Sequence, residues 1–173
     1  TGVFDVCQGN SALLNATPGF NSYLWSNGAT TSSIGPTTSG TYTVTVTNSS
    51  GCTGSAQQAV NVFPSPQPTI SGNNIICQGQ TTTLTAASGF NSYLWSNGAS
   101  TASISVTTGG TYTVTVTNSN GCTGSKSQVV TVNPNPTPSI TGVFSVCQGS
   151  SATLTATAGF NSYLWSNGAN TQT

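Results

Sequence analysis

The side chains able to do chemistry in this chain are few. There are five cysteines (Cys7, Cys52, Cys77, Cys122 and Cys147), one aspartate (Asp5) and one lysine (Lys126), with no histidine, glutamate, arginine or methionine among 173 residues. A nucleophilic or redox-active cysteine needs a neighbouring base or cation to favour its thiolate, and one lysine cannot serve five thiols. General acid–base catalysis needs a titratable group set against a substrate, and two isolated charges supply no working pair. Zinc needs histidines or clustered thiolates, hard cations need several carboxylate oxygens, and nucleic acids are held by Lys and Arg on phosphates. No catalytic residue, cofactor or metal site is therefore expected, and no nucleic-acid partner. The chemistry left to the cysteines is structural disulfide formation, which places the chain in an oxidising compartment.

The rest of the polar surface is neutral and small, dominated by 32 Thr, 26 Ser and 17 Asn. No apolar run approaches the roughly 20 residues that span a bilayer, so membrane insertion is not expected. No charged segment followed by an apolar one opens the chain, so a secretion signal is expected outside it. Low-complexity chains of this kind often stay disordered, but the apolar residues here, 34% of the total, are placed in order.

That order is a repeat. The string GFNSYLWSNGA begins at Gly19, Gly89 and Gly159, a period of 70 residues. Residues 1–70 and 71–140 align without a gap at 44 identities, and residues 141–173 match 1–33 at 25 of 33 positions. The chain reads as two repeats and the front half of a third, a window on a longer array. Each period carries strand signals and no helical spacing. TYTVTVTN at 41–48 and 111–118 alternates strictly, with Tyr42, Val44 and Val46 on one face and Thr41, Thr43, Thr45 and Thr47 on the other. Such alternation marks a half-buried antiparallel strand. Further strands are expected in the second repeat over 81–87, 92–96, 100–107 and 128–133. Asn97 and Gly98 suit a two-residue type I′ turn, which needs positive φ at both positions.

FPSPQPT at 63–69 and NPNPTPS at 133–139 place proline at alternate positions, which removes ladder donors and favours stiff, extended backbone. The expected organisation is a repeat over 1–63, a linker over 64–69, a second repeat over 70–133, a linker over 134–139, and half a repeat over 140–173. Short strands with close turn signals imply all-β chemistry: tandem small β-sandwiches of about 70 residues in a rod-like array.

The order C-Q-G, T-L-T-A, Y-L-W-S-N-G-A, then G-T-Y-T-V-T-V-T-N and G-C resembles the Ig-like and PKD-like repeats of very large secreted or surface proteins of Bacteroidota, gliding adhesins and other type IX-secreted proteins among them. The resemblance covers the whole chain. It implies an extracellular, non-catalytic tandem Ig-like array with adhesive, filamentous or spacer roles. It further implies that Trp25, Trp95 and Trp165 hold the position of the Ig core tryptophan on strand C. Tyr42 and Tyr112 would be the tyrosine-corner residue near the start of strand F. Where antibody-type domains carry a cysteine two residues after that tyrosine, this chain has Val44 and Val114.

Cys7 and Cys52 are 45 residues apart, as are Cys77 and Cys122, and Cys147 has its partner beyond the segment. Pairing within each repeat is the simplest reading. A standard Ig strand count, however, sets the A–B and F–G turns at opposite ends of a sandwich. On that count Cys7 would meet Cys122 and staple adjacent repeats, and pairing between chains also stays open. Two other features invite a sharper reading: the tryptophans as sugar-stacking platforms, and the outward threonines as a hydroxyl row for glycans. Both compete with plain core packing and a solvent-facing strand. The expected function is the shaft of a bacterial surface adhesin or filament. Its expected partners are neighbouring repeats of the same chain, with like chains or surface glycans as further candidates. The alternative is a glycan-binding array, or a spacer on a large secreted enzyme.

Overall fold

In a computed structural model, which describes residues 4–173, the first repeat is built from six strands. They are β1 (Phe4–Cys7), β2 (Leu14–Asn15), β3 (Ser22–Trp25), β4 (Ser33–Ile34), β5 (Gly40–Thr47) and β6 (Thr53–Phe63). The second repeats the plan as β7 (Ile70–Ser71), β8 (Ile75–Cys77), β9 (Thr82–Ala86), β10 (Ser92–Trp95), β11 (Ser103–Val106), β12 (Gly110–Thr117) and β13 (Thr123–Asn133). The third contributes β14 (Ile140–Gly142) and β15 (Leu154–Ala156), which pair antiparallel. No helix among the described residues is long and apolar enough to cross a membrane.

The strictly alternating segment becomes the central strand of the larger sheet in each repeat. In the first, the order is β1-β6-β5-β3, opposed by the two-stranded sheet β2-β4; in the second, β10-β12-β13-β8 is opposed by β11-β9-β7. The register puts Trp25 opposite Val44 and Tyr23 opposite Val46, and likewise Trp95 opposite Val114 and Tyr93 opposite Val116. Side chains directly opposite share a face, so these residues turn inward together. Leu14 and Ile34 from the smaller sheet meet Trp25, Val44 and Val60 from the larger, and Leu84, Ile104 and Val106 meet Trp95, Val114 and Val130. Each complete core thus lies between two sheets, and the architecture is an all-β, Ig-like sandwich. The only buried polar side chain in the described residues, Thr82, donates to the Asn73 carbonyl at 2.8 Å.

Three local expectations change. β13 begins at Thr123, five residues before the expected 128, because TGSKS, turn-like in composition, completes the ladder opposite β12. The turn after Trp95 is not type I′: positive φ is confined to Gly98 (87°), and no non-glycine among the described residues has it. Asn97 instead accepts the Ala99 amide through Oδ1 at 3.2 Å, so its side chain rather than its backbone closes the turn. Finally, β1 and β8 were not expected: β1 runs parallel to β6, Cys7 beside Phe63, on a stretch of four residues too short for alternation to mark a strand.

The chain divides into one unit ending at Val132, which holds the first two repeats, and a second over Asn133–Thr173. The proline-rich segments lie on the repeat that follows them. Thr69 accepts the Ala87 amide at 3.0 Å and Ile70 pairs with Ala86; Ser139 accepts the Thr157 amide at 2.9 Å and Ile140 pairs with Ala156.

Candidate functional site

Two of the cysteines, Cys7 and Cys122, meet where the two repeats join. Cys7 ends β1, and its position is set by the parallel pairing to β6 and by the Gln8 amide donating to the Phe63 carbonyl at 2.7 Å. Cys122 sits in the turn after β12, which one side chain organises. Asn118 Oδ1 accepts from the amides of Asn120 and Cys122, both at 3.0 Å, and Gly121 takes φ of 76°. This Asx turn leaves the Cys122 sulfur facing the end of the first repeat. There it closes a disulfide with Cys7, Cα–Cα 5.4 Å, and is fully buried. Asn118 also donates from Nδ2 to the Pro64 carbonyl at 3.4 Å, so the same residue shapes the turn and touches the linker.

Pairing within a repeat is therefore corrected. Cys7 bonds Cys122, not Cys52, and Cys52, Cys77 and Cys147 are free and exposed. The physical reason is the pairing of β1 with the end of β6, which carries Cys7 to the far end of its own repeat, away from the turn that holds Cys52. The bond spans a sequence separation of 115, which in the chain-entropy treatment is worth ~5 kcal/mol.

The aromatic positions are interior. Trp25 is 4% exposed and Trp95 1%, and their indole N–H groups donate to the carbonyls of Thr31 and Thr101 at 2.8 and 2.9 Å. Neither ring face is open to a sugar. Trp165 is half-buried, with its indole donating to the Thr171 carbonyl at 2.8 Å. Tyr42 and Tyr112 each donate a phenol O–H to a carbonyl four residues upstream, Thr38 and Thr108, at 3.0 Å.

No protein-family model and no curated protein matches the sequence. Among solved structures the chain is similar to murine CEACAM1b, at 16% identity and a TM-score of 0.34 over 75% of this chain and 96% of that one. It is similar to the N-terminal four Ig domains of Dscam1 isoform 6.9, at 16% identity and a TM-score of 0.33 over 76% of this chain and 43% of that one. A third is Bacteroides ovatus SGBP-B of the mixed-linkage glucan utilisation locus, in complex with a mixed-linkage heptasaccharide, at 17% identity and a TM-score of 0.29 over 75% and 42%. The chain thus spans less than half of the last two.

The outward face of the larger sheet is the other surface with a repeating chemistry. Along β12, Thr111, Thr113, Thr115 and Thr117 point out, with Ser125 and Ser127 opposite on β13. Thr113 Oγ1 and Ser127 Oγ share a hydrogen bond at 2.8 Å. Leu94 and Val129, 57% and 56% exposed, interrupt this hydroxyl field. The face offers donors, acceptors and two apolar contacts; Lys126 lies opposite Val114 and so alternates to the other face of the sheet.

Proposed function

We propose that the chain is a section of a non-catalytic, adhesive or structural array on an extracellular surface, as in the shaft of a bacterial surface adhesin or filament. The observation that supports this most is the Cys7–Cys122 bond. A disulfide inside a domain stabilises that domain. One between domains, backed by a linker laid along the second repeat, restrains their mutual motion, which suits a shaft. The bond also needs an oxidising compartment, in keeping with display outside the cell. The test is adhesion by the chain itself: beads coated with it should bind one another or a cell surface without turnover of any ligand. Coated beads that behave like uncoated ones would refute an adhesive role.

A second reading, glycan binding, draws support from the hydroxyl face with Leu94 and Val129. It excludes the buried tryptophans as platforms. Polysaccharide pull-down with the chain and with a Thr113→Val, Thr115→Val variant separates the two: binding lost in the variant favours the glycan reading.

A further inference from the structure

The tripeptide Ser-Asn-Gly occurs four times, at 26–28, 96–98, 119–121 and 166–168. Such a sequence is open to attack by the chain on itself, because the glycine has no Cβ to hinder its amide from approaching the preceding side-chain carbonyl. The tripeptide is identical at all four places, so a difference in their reactivity reports the fold around them.

Three of the four share one geometry. In the turn after each SYLW segment, Asn27, Asn97 and Asn167 accept the amide of the alanine two residues on through Oδ1, at 3.2, 3.2 and 3.0 Å. Each glycine amide there donates to the tryptophan carbonyl at 2.9 Å. For Cγ to reach the glycine nitrogen the side chain must turn about Cα–Cβ, which breaks the Oδ1 bond. Asn120 stands apart. The Gly121 amide still donates, to the Asn118 carbonyl at 3.1 Å, but the Asn120 side chain is exposed and makes no hydrogen bond among the described residues. Its backbone amide donates to Asn118 Oδ1 at 3.0 Å, as that of Ser50 does to Asn48 Oδ1 in the first repeat. The turn is thus closed without the Asn120 side chain, which is left to rotate.

We propose that Asn120 is a site of spontaneous deamidation, the one Ser-Asn-Gly of the four whose asparagine the fold does not tie down. The Gly121 nitrogen attacks Asn120 Cγ; the Cγ–Nδ2 bond breaks, and ammonia leaves with the proton of the Gly121 amide. Water then opens the succinimide. Opening at Cγ yields aspartate. Opening at the backbone carbonyl yields isoaspartate, whose main chain runs through Cβ and Cγ and is one carbon longer. Either product puts a new carboxylate into a chain of net charge zero, in the turn that presents Cys122. Isoaspartate also lengthens the path between the Asn120 and Cys122 amides, which Asn118 Oδ1 accepts together at 3.0 Å each. It therefore loosens the seat of the disulfide between the repeats.

The experiment incubates the full, oxidised chain in mildly alkaline buffer and maps its peptides by mass, separating aspartyl from isoaspartyl forms. Asn120 should convert about fivefold faster than Asn27, Asn97 or Asn167, the factor that one hydrogen bond supplies. In the reduced, denatured chain the four sites should convert at equal rates. Asn120→Ser, which carries the side chain found at this turn in the first repeat, should remove most of the acidic form resolved by ion exchange. Conversion of Asn120 no faster than the other three in the folded chain would overturn the proposal. A lead of Asn120 that persists after denaturation would do the same, since the cause would then lie outside the fold. So would an Asn120→Ser chain that acidifies as fast as the original.

Discussion

Cys7 and Cys122 are 115 residues apart in sequence and 5.4 Å apart at their Cα atoms. The bond joins the end of one sandwich to a turn of the next. Non-reducing peptide mapping should return a Cys7–Cys122 crosslinked peptide, and maleimide applied without reductant should label Cys52, Cys77 and Cys147 alone. Recovery of Cys7 joined to Cys52 would show that the repeats are stapled internally.

Replacing both partners, as Cys7→Ser with Cys122→Ser, should lower the denaturant stability of the two-repeat unit by roughly 2–5 kcal/mol. It should also loosen the repeats from one another, seen as separate rotational correlation times by NMR relaxation. A single correlation time in the double variant would mean that linker contacts suffice to hold them.

Trp95→Ala removes the largest fully buried side chain in the second repeat and should cost about 3–5 kcal/mol. Leu94→Ala, next to it but on the outward face, should change stability by no more than ~0.5 kcal/mol. Chemical denaturation of the pair tests the inside–outside alternation directly.

Tyr112→Phe keeps the ring and deletes the donor to the Thr108 carbonyl. A loss of about 1 kcal/mol is expected, and the same from Tyr42→Phe in the first repeat. A neutral result in both would mean that the phenol exchanges freely with water.

Gly72→Ala should be far more damaging than its surface position suggests. The backbone there has φ of 133°, and a Cβ would fall 2.3 Å from the Thr83 carbonyl oxygen. Thermal melting should show a loss of several kcal/mol, of order 1–3 kcal/mol from backbone strain alone.

What could be read from the sequence was whatever a strand shows by alternation. Tyr112, Val114 and Val116 against Thr111, Thr113 and Thr115 marked the central strand, and the recurring SYLW marked its neighbour. β1 was illegible because it pairs parallel with a distant strand, and its four residues, Phe4–Cys7, are too few for alternation to mark a strand. The disulfide partner was half legible: a standard Ig strand count offered Cys7–Cys122 beside pairing within each repeat, and the pairing of β1 to β6 decides for it. The turn at Asn97 misled for a different reason: asparagine tolerates positive φ but can equally close a turn through its amide, and spacing does not distinguish the two. The role of Gly124 was invisible, because its meaning lies in the Pro66 backbone, whose carbonyl oxygen would sit 1.8 Å from a Cβ there.

The parallel placement of β1 beside β6 has a mechanical consequence. Tension applied to the two ends of the oxidised chain enters at Cys7, crosses the disulfide and leaves at Cys122, so residues 8 to 121 carry no load. A separation of 115 residues corresponds to about 400 Å of extended chain that cannot be drawn out. Reduction would pass the load to the two folded sandwiches, whose unfolding could then draw that length out, so the bond is a covalent stop on the extensibility of the pair.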